Sequence, residues 1–201
     1  MKTIVITGGN GDIAQAIALE LKKNFKVLTP GKNALDIANK ESVRMYMERH
    51  RPHVLINAAG VIFPGSIAYG DVEDWIKEIN VNLIGTYLCC HYALLNGCER
   101  IINIGSSAGK YGKPEWSGYC ASKAGVERLT QSLHEEGHWA VCLAIGRTKT
   151  KMRKALFGEE DPNTLLAPKF IATLILAILE NATTFRVKLS GQIIPVYKEE
   201  N

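Results

Sequence analysis

The sequence predicts an α/β protein, with a doubly wound parallel sheet and helices on both of its faces, forming a three-layer α/β/α single domain over residues 1–201. Three observations predict it. Short β-branched runs alternate with longer helical patterns from end to end, as a series of βαβ units requires. A glycine-rich turn, Thr7-Gly8-Gly9-Asn10-Gly11-Asp12-Ile13-Ala14, follows the first apolar run directly and opens the first helical pattern. A length of 201 residues with 46% hydrophobic composition suits one sizeable core, and no repeat or long linker divides the chain.

Element by element, Thr3–Thr7 reads as a strand and Asp12–Lys23 as the helix after the turn. Lys26–Thr29 is the second strand. Only Pro30 to Asn33 separate it from the strand-like Ala34-Leu35-Asp36-Ile37, and a parallel crossover needs about a dozen residues, so Ala34–Ile37 is expected to be a short extended piece crossing the cleft. Asn39 is placed to cap a helix over Lys40–His50, which leads to a strand at Val54–Asn57. Asp71 is placed to cap one long helix, Val72–Leu95, with Gly97 as its stop. Then follow a strand at Arg100–Ile104, a helix at Gly118–Glu135 stopped by Gly137, a strand at Ala140–Ile145, a helix at Pro168–Leu179 and a strand at Gln192–Val196.

Composition narrows the function classes. The net charge of +4 is mild and dispersed, which argues against a nucleic-acid partner. Arg147, Lys149, Lys151, Arg153 and Lys154 crowd into eight positions and form either a solvated basic loop or a contact surface for phosphate. Five cysteines, Cys89, Cys90, Cys98, Cys120 and Cys142, are an odd number without a C-x-x-C pair, so they are expected to be reduced and buried. The longest apolar run, Phe170 to Leu179, is too short for a membrane span, and Met1 to Thr7 has no leader-like region, so a soluble cytoplasmic protein with no membrane partner is expected. His134-Glu135-Glu136-Gly137-His138 matches the H-E-x-x-H zinc pattern literally, but Gly137 should end the helix before the second histidine, and no metal is expected. Asn181-Ala182-Thr183 is a glycosylation sequon expected to lie in a loop.

The chemistry-bearing residues lie in the turn and near residue 120. Strand, glycine turn and helix N-terminus together direct backbone N–H groups and the helix dipole at a pyrophosphate. Lys123 follows Tyr119 at i+4, so both side chains share a helix face. A free phenol is a poor acid–base catalyst near neutrality, and a nearby ammonium improves it by favouring the phenolate. Ser106, at the carboxyl end of a strand, can hydrogen-bond a carbonyl oxygen that the phenol protonates. These groups point to hydride transfer between a carbonyl and an alcohol, Tyr119 being the general acid/base. A catalytically idle dinucleotide sensor is the alternative, disfavoured because a sensor has no need of Ser106, Tyr119 and Lys123 together.

In these motifs the chain resembles the short-chain dehydrogenase/reductases along nearly its whole length. Asn57-Ala58-Ala59-Gly60 resembles the family motif that shapes the adenine and sheet region, and Asn82 in Asn80-Val81-Asn82-Leu83 resembles the helix asparagine of the family's catalytic tetrad. Ile102-Asn103-Ile104-Gly105-Ser106-Ser107-Ala108-Gly109 followed by Tyr119-Cys120-Ala121-Ser122-Lys123 resembles the active-site signature, and its spacing selects Ser106 over Ser107. Gly146, Thr148 and Thr150 resemble the segment that holds the nicotinamide carboxamide, with Thr150 the expected contact. The resemblance implies a Rossmann-type fold, catalysis by Ser106, Tyr119, Lys123 and Asn82, and cofactor contacts at Gly8, Asn10, Gly11, Asp12, Ile13, Asn57, Ala58, Ala59, Gly60, Tyr119, Lys123, Gly146, Thr148 and Thr150. Asp36 and Ile37 resemble the adenine-binding pair. Asp12 stands where the commonest family turn has glycine, Ile145 replaces the usual proline, and the Thr29–Asp36 and Arg51–Asn57 stretches are similar to dTDP-4-dehydrorhamnose reductases.

The second strand ends in Thr29-Pro30-Gly31-Lys32, without the carboxylate that would repel a 2′-phosphate. Lys32 can pair with that phosphate, which favours NADP(H), with NAD also possible. The expected partner is a small carbonyl or alcohol substrate. The helices at Val72–Leu95 and Gly118–Glu135 carry more apolar positions than one core stripe needs, among them Trp75, Ile84, Tyr87, Leu88, Cys89, His91, Leu129 and Leu133, so a homodimer or homotetramer is expected through them.

Overall fold

Strand β1 (Thr3–Ile6) runs into the glycine turn, which hands the chain to α1 (Asp12–Leu21); β2 (Lys26–Leu28), α2 (Lys40–His50) and β3 (Val54–Asn57) follow. Next come α3 (Val72–Ile79), a five-residue π-helical segment (Asn80–Ile84) and α4 (Gly85–Leu95). The remaining elements are β4 (Arg100–Ser106), α5 (Ser117–Glu135), β5 (Ala140–Ile145), α6 (Lys151–Phe157), α7 (Pro168–Thr184) and β6 (Ile193–Val196). This computed structural model describes residues 1–184 and 189–198, with side chains as far as residue 180 and again from 189.

Among the described residues, the strands form one parallel sheet in the order β2-β1-β3-β4-β5-β6. This is the Rossmann-type α/β/α arrangement. Both sheet faces are covered, so successive strand residues enter different cores. Ile4, Ile6, Ile56, Ile102 and Leu143 pack with Ile17 and Leu21 of α1 and Ile171 and Ile175 of α7. Val5, Leu55 and Ile101 pack with Val43 and Met47 of α2, Cys89, Cys90 and Ala93 of α4 and Leu133 of α5. The chain moves one way across the sheet from β1 to β2 and the other way from β1 to β3. That reversal opens a crevice at the carboxyl ends of β1 and β3, where ligands bind in such sheets.

Asn39 and Asp71 cap α2 and α3 through their side chains, and Gly97 and Gly137 take positive φ where helices stop. Four expectations are corrected. The helix over Val72–Leu95 is not continuous, because the backbone widens into the π segment around Asn82. Residues 151–157, which overlap the basic run at 147–154 and carry no predicted helix, form α6, started by Thr150, whose hydroxyl accepts the Arg153 N–H at 3.1 Å. Helix α7 reaches Thr184, so the sequon lies in its last turns and not in a loop. Residues Ala34–Ile37 form no strand; they make turns that drive Leu35 and Ile37 into the second core.

Of the eight apolar positions set out for the two long helices, Cys89 and Leu133 are buried in the second core, and Leu88 and Leu129 are partly buried against it. Trp75, Ile84 and Tyr87 are exposed, as are Ile76 and Leu95 on the same pair of helices. All five cysteines are free and buried, and burial pushes the Cys142 thiol up to about 12.

Candidate active site

The turn after β1 is set by close approach. Gly8 takes φ +71°, and a Cβ there would lie 2.7 Å from the Ala59 Cα; one on Gly9 would lie 2.1 Å from the Thr29 carbonyl oxygen. Only glycine lets the ends of β1, β2 and β3 meet so tightly. Thr7, fully buried, accepts the N–H groups of Ala58 and Ala59 on its hydroxyl at 3.1 Å each, tying the turn to Asn57-Ala58-Ala59-Gly60. Helix α1 starts at Gly11 without a side-chain cap, so its first N–H groups are open to an anionic ligand. Asp12 does not block them. Its carboxylate accepts the Lys151 backbone N–H at 2.6 Å and faces the Lys151 ammonium at 3.9 Å, joining the turn to α6. Such a cradle of glycines and free N–H groups fits a dinucleotide pyrophosphate.

Beyond the turn, β4 ends on Ser106, which is 8% exposed and accepts the Ala108 N–H at 3.2 Å. Helix α5 carries both Tyr119 and Lys123. The Lys123 ammonium is nearly buried, donates to the Ile104 carbonyl at 3.0 Å and lies 5.6 Å from the Tyr119 ring centroid. Asn82 is fully buried in the π segment. It accepts the Val61 N–H at 2.8 Å, donates to the Val61 carbonyl at 2.9 Å and donates to Ser122 at 3.2 Å, clamping the loop after Gly60 to α5. A Cβ on Gly60 would sit 3.3 Å from the Asn82 Oδ1 and 3.7 Å from the Lys123 Nζ, so the N-A-A-G loop passes between them. Below it, Asn57 donates to Asn103 at 2.9 Å and Asn103 to Thr130 at 2.9 Å across the sheet.

The flanking candidates are mostly engaged within the chain. Lys32 lies 3.8 Å from Asp36 with its side chain 77% exposed, and the Asp36 carboxylate accepts the Ala38 N–H at 3.1 Å. Ile37 is buried and would meet a Cβ placed on Gly85 at 2.9 Å, so it fixes the loop to α4. Asn10 lies beside Gly31, bringing the turn near the loop after β2. Ile13 is partly buried on the first core. Gly146 donates its N–H to Val196 at 2.8 Å, Thr148 turns back to the Gly146 carbonyl at 3.0 Å, and Thr150 caps α6.

The basic cluster meets its own acids: Arg153 pairs with Glu160 through two bonds at 2.6 and 2.7 Å, and Lys154 pairs with Glu159. These residues, with Asp12, Lys149, Thr150 and Leu165, line a cleft of about 330 Å³. Neither Glu159 nor Glu160 was foreseen as a partner, although both follow the cluster within a few positions. The two zinc-pattern histidines diverge. His134 faces the Ser190 hydroxyl at 3.0 Å, and Gly137 at φ +86° turns the chain away before His138.

The wall above Tyr119 is aromatic. Trp116 meets Tyr119 edge-on at 5.6 Å and Phe157 of α6 at 5.8 Å, so α6 touches the ring that lies against Tyr119. Phe63, under the Lys77 ammonium at 4.5 Å, marks the other side.

Two family profiles match the chain: short chain dehydrogenase over residues 34–161, and the RmlD substrate binding domain over residues 1–62. The 3-oxoacyl-[acyl-carrier-protein] reductase FabG of Pseudomonas aeruginosa is 28% identical over 239 residues, covering 97% of this chain and 95% of that protein. A bifunctional ribulose 5-phosphate reductase/CDP-ribitol pyrophosphorylase of Haemophilus influenzae is 28% identical over 212 residues, covering 97% of this chain. The chain spans only 43% of that bifunctional protein. Among solved structures, ElxO with NADP bound matches with a TM-score of 0.82 at 25% identity, covering 97% of this chain and 96% of that one.

Proposed function

The chain belongs to the short chain dehydrogenase family of NAD(P)-dependent oxidoreductases, and on that premise we propose that it interconverts a small carbonyl compound and its alcohol with NADP(H). The observation that carries this reading is the nearly buried Lys123 ammonium 5.6 Å from the Tyr119 ring, on the helix that follows the Ser106 strand. When bound, the dinucleotide supplies or accepts the hydride. The turn N–H groups at α1 bind its pyrophosphate, and Gly146, Thr148 and Thr150 line its nicotinamide end.

In the reductive direction Tyr119 delivers its phenolic proton to the carbonyl oxygen. Lys123 favours negative charge on the phenol oxygen and is itself held by the Ile104 carbonyl. Ser106 donates its hydroxyl hydrogen to the developing oxyanion, leaving its own oxygen free to keep the Ala108 bond. Asn82 orders the Gly60–Val61 backbone beside the lysine. Trp116 packs edge-on against the Tyr119 ring and holds it from one side. NADP(H) is favoured over NAD(H) by Lys32 in the loop after β2 and by the NADP held by the ElxO structure.

A panel of ketones, aldehydes, quinones and oxoacyl thioesters, followed by NADPH oxidation, tests the activity. Tyr119→Phe should retain less than about a hundredth of wild-type turnover with NADPH affinity within a few-fold. Ser106→Ala should be severe and Ser107→Ala mild. A Tyr119→Phe protein with more activity than that rules out proton transfer by this phenol.

A further inference from the structure

One buried acid next to this site has no part in the chemistry above. Glu78 on α3 is 1% exposed. Its Oε1 accepts the Phe63 N–H at 2.7 Å, and the Tyr119 N–H also bears on the carboxylate. Its Oε2 lies so near α5 that a Cβ on Gly118 would sit 2.2 Å away. Helix α5 begins at Trp116 with no side-chain cap of its own, and first-turn N–H groups need an acceptor from elsewhere.

Glu78 and Asn82 are one turn apart on the same side of the helix. Asn82 holds Val61 and reaches Ser122; Glu78 holds Phe63 and reaches Tyr119. These two rungs join alternate residues of the pocket loop to the successive turns of α5 that bear the phenol and the lysine.

We propose that Glu78 is a positioning residue that caps α5 from outside, fixing Tyr119 at a set separation from the Phe63 wall of the substrate pocket. This rests on the reading that Tyr119 delivers the proton. A carboxylate suits the task because both of its partners donate and neither of its oxygens carries a hydrogen to oppose them. An amide of the same shape offers one accepting oxygen instead of two and brings an N–H₂ of its own among the donors. Burial raises the carboxyl's pKa, opposed by the Phe63 N–H, with the nearby Asp74 carboxylate raising it further; an acid kept there against desolvation serves the geometry.

Displacement of a catalytic group by about 1 Å can cost about 100-fold in rate. For Glu78→Gln we expect kcat with acetoacetyl-CoA as the carbonyl probe to fall at least about tenfold, with NADPH affinity within twofold. Amide hydrogen exchange of the NADPH-bound full chain, which needs no turnover, should quicken about tenfold in peptides covering 61–65 and 117–121 and stay unchanged in α7. Gly118→Ala pushes a methyl into the carboxylate and to 2.9 Å from the Trp75 ring, so it should raise exchange and lower kcat like Glu78→Gln. Unchanged exchange in both peptides for Glu78→Gln overturns the proposal, as does a kcat within twofold of wild type. A wild-type protein inactive across the whole carbonyl panel refutes the proton-transfer reading instead, and exchange then decides alone whether Glu78 caps α5.

Discussion

Gly9→Ala is the substitution whose cost is best defined by the structure. The added Cβ would lie 2.1 Å from the Thr29 carbonyl oxygen, 2.6 Å from its carbon and 2.9 Å from the Pro30 oxygen. Those are backbone atoms that cannot rotate aside, so the ends of β1 and β2 must part by more than about 1 Å to restore ordinary contact. Overpacking of this kind costs about 1–3 kcal/mol. The same movement stretches the Gly9 N–H bond to the Pro30 carbonyl, 2.9 Å long, and its loss adds about 1 kcal/mol. The expected destabilisation is therefore about 2–4 kcal/mol, and in a chain of this size each kcal/mol lowers Tm by about 2–4 °C. Because the displaced atoms hold the turn proposed to bind the pyrophosphate, NADPH affinity should fall by about tenfold or more as well. Urea unfolding, thermal melting and NADPH fluorescence titration measure both effects. Gly112→Ala, where nothing lies within 4 Å of the new methyl, is the control and should change stability by less than about 0.5 kcal/mol. A Gly9→Ala protein as stable as that control, or one that binds NADPH like wild type, would refute the close-approach argument.

Lys32→Glu should weaken NADPH by about tenfold more than NADH, since a cation that can meet the 2′-phosphate is replaced by an anion; equal losses would mean that the phosphate is read elsewhere. Burial raises the carboxyl of Glu127, with Arg128 at 3.9 Å opposing, so its folded form holds a proton more firmly than its unfolded form. Its contribution to stability is thus present below about 4.5 and lost as pH rises through the folded value. Urea unfolding should show Glu127→Gln gaining on wild type between pH 4.5 and 7, and a constant difference contradicts this. Trp75, Ile76, Ile84, Tyr87 and Leu95 are exposed apolar side chains on α3, the π segment and α4, so light scattering at micromolar concentration should return a dimer or tetramer; a monomer mass refutes that assignment.

The sheet was legible because parallel strands buried on both faces leave β-branched runs, such as Thr3–Ile6 and Ala140–Ile145, that no amphipathic helix imitates. The caps at Asn39 and Asp71 were legible for a local reason too: each side chain serves N–H groups two or three residues away. The π segment was not, since Asn80-Val81-Asn82-Leu83-Ile84 continues a helical pattern and its widening is fixed by what Asn82 reaches, Val61 and Ser122. Helix α6 was hidden by its charge. Lys151, Arg153 and Lys154 look solvated until Asp12, Glu160 and Glu159 come to meet them. Glu78 reads as one more helix-surface acid in sequence, and only the packing of α3 on α5 buries it.

The sharing of one core by α1 and α7 has a consequence for the order in which the molecule can be assembled. The apolar side of α1, Ala14, Ile17 and Leu21, leaves the ribosome about 150 residues before Ile171 and Ile175, which cover it. Throughout that interval the glycine turn is supported on one side only, and a nascent chain carries an exposed greasy stripe that invites chaperones or neighbouring chains. Gly146 waits later still, because its N–H finds the Val196 carbonyl only when β6 joins the sheet edge. The glycine turn is therefore fully supported only after α7 and β6 have been made, and a chain cut before α7 is a folding problem before it is an incomplete enzyme.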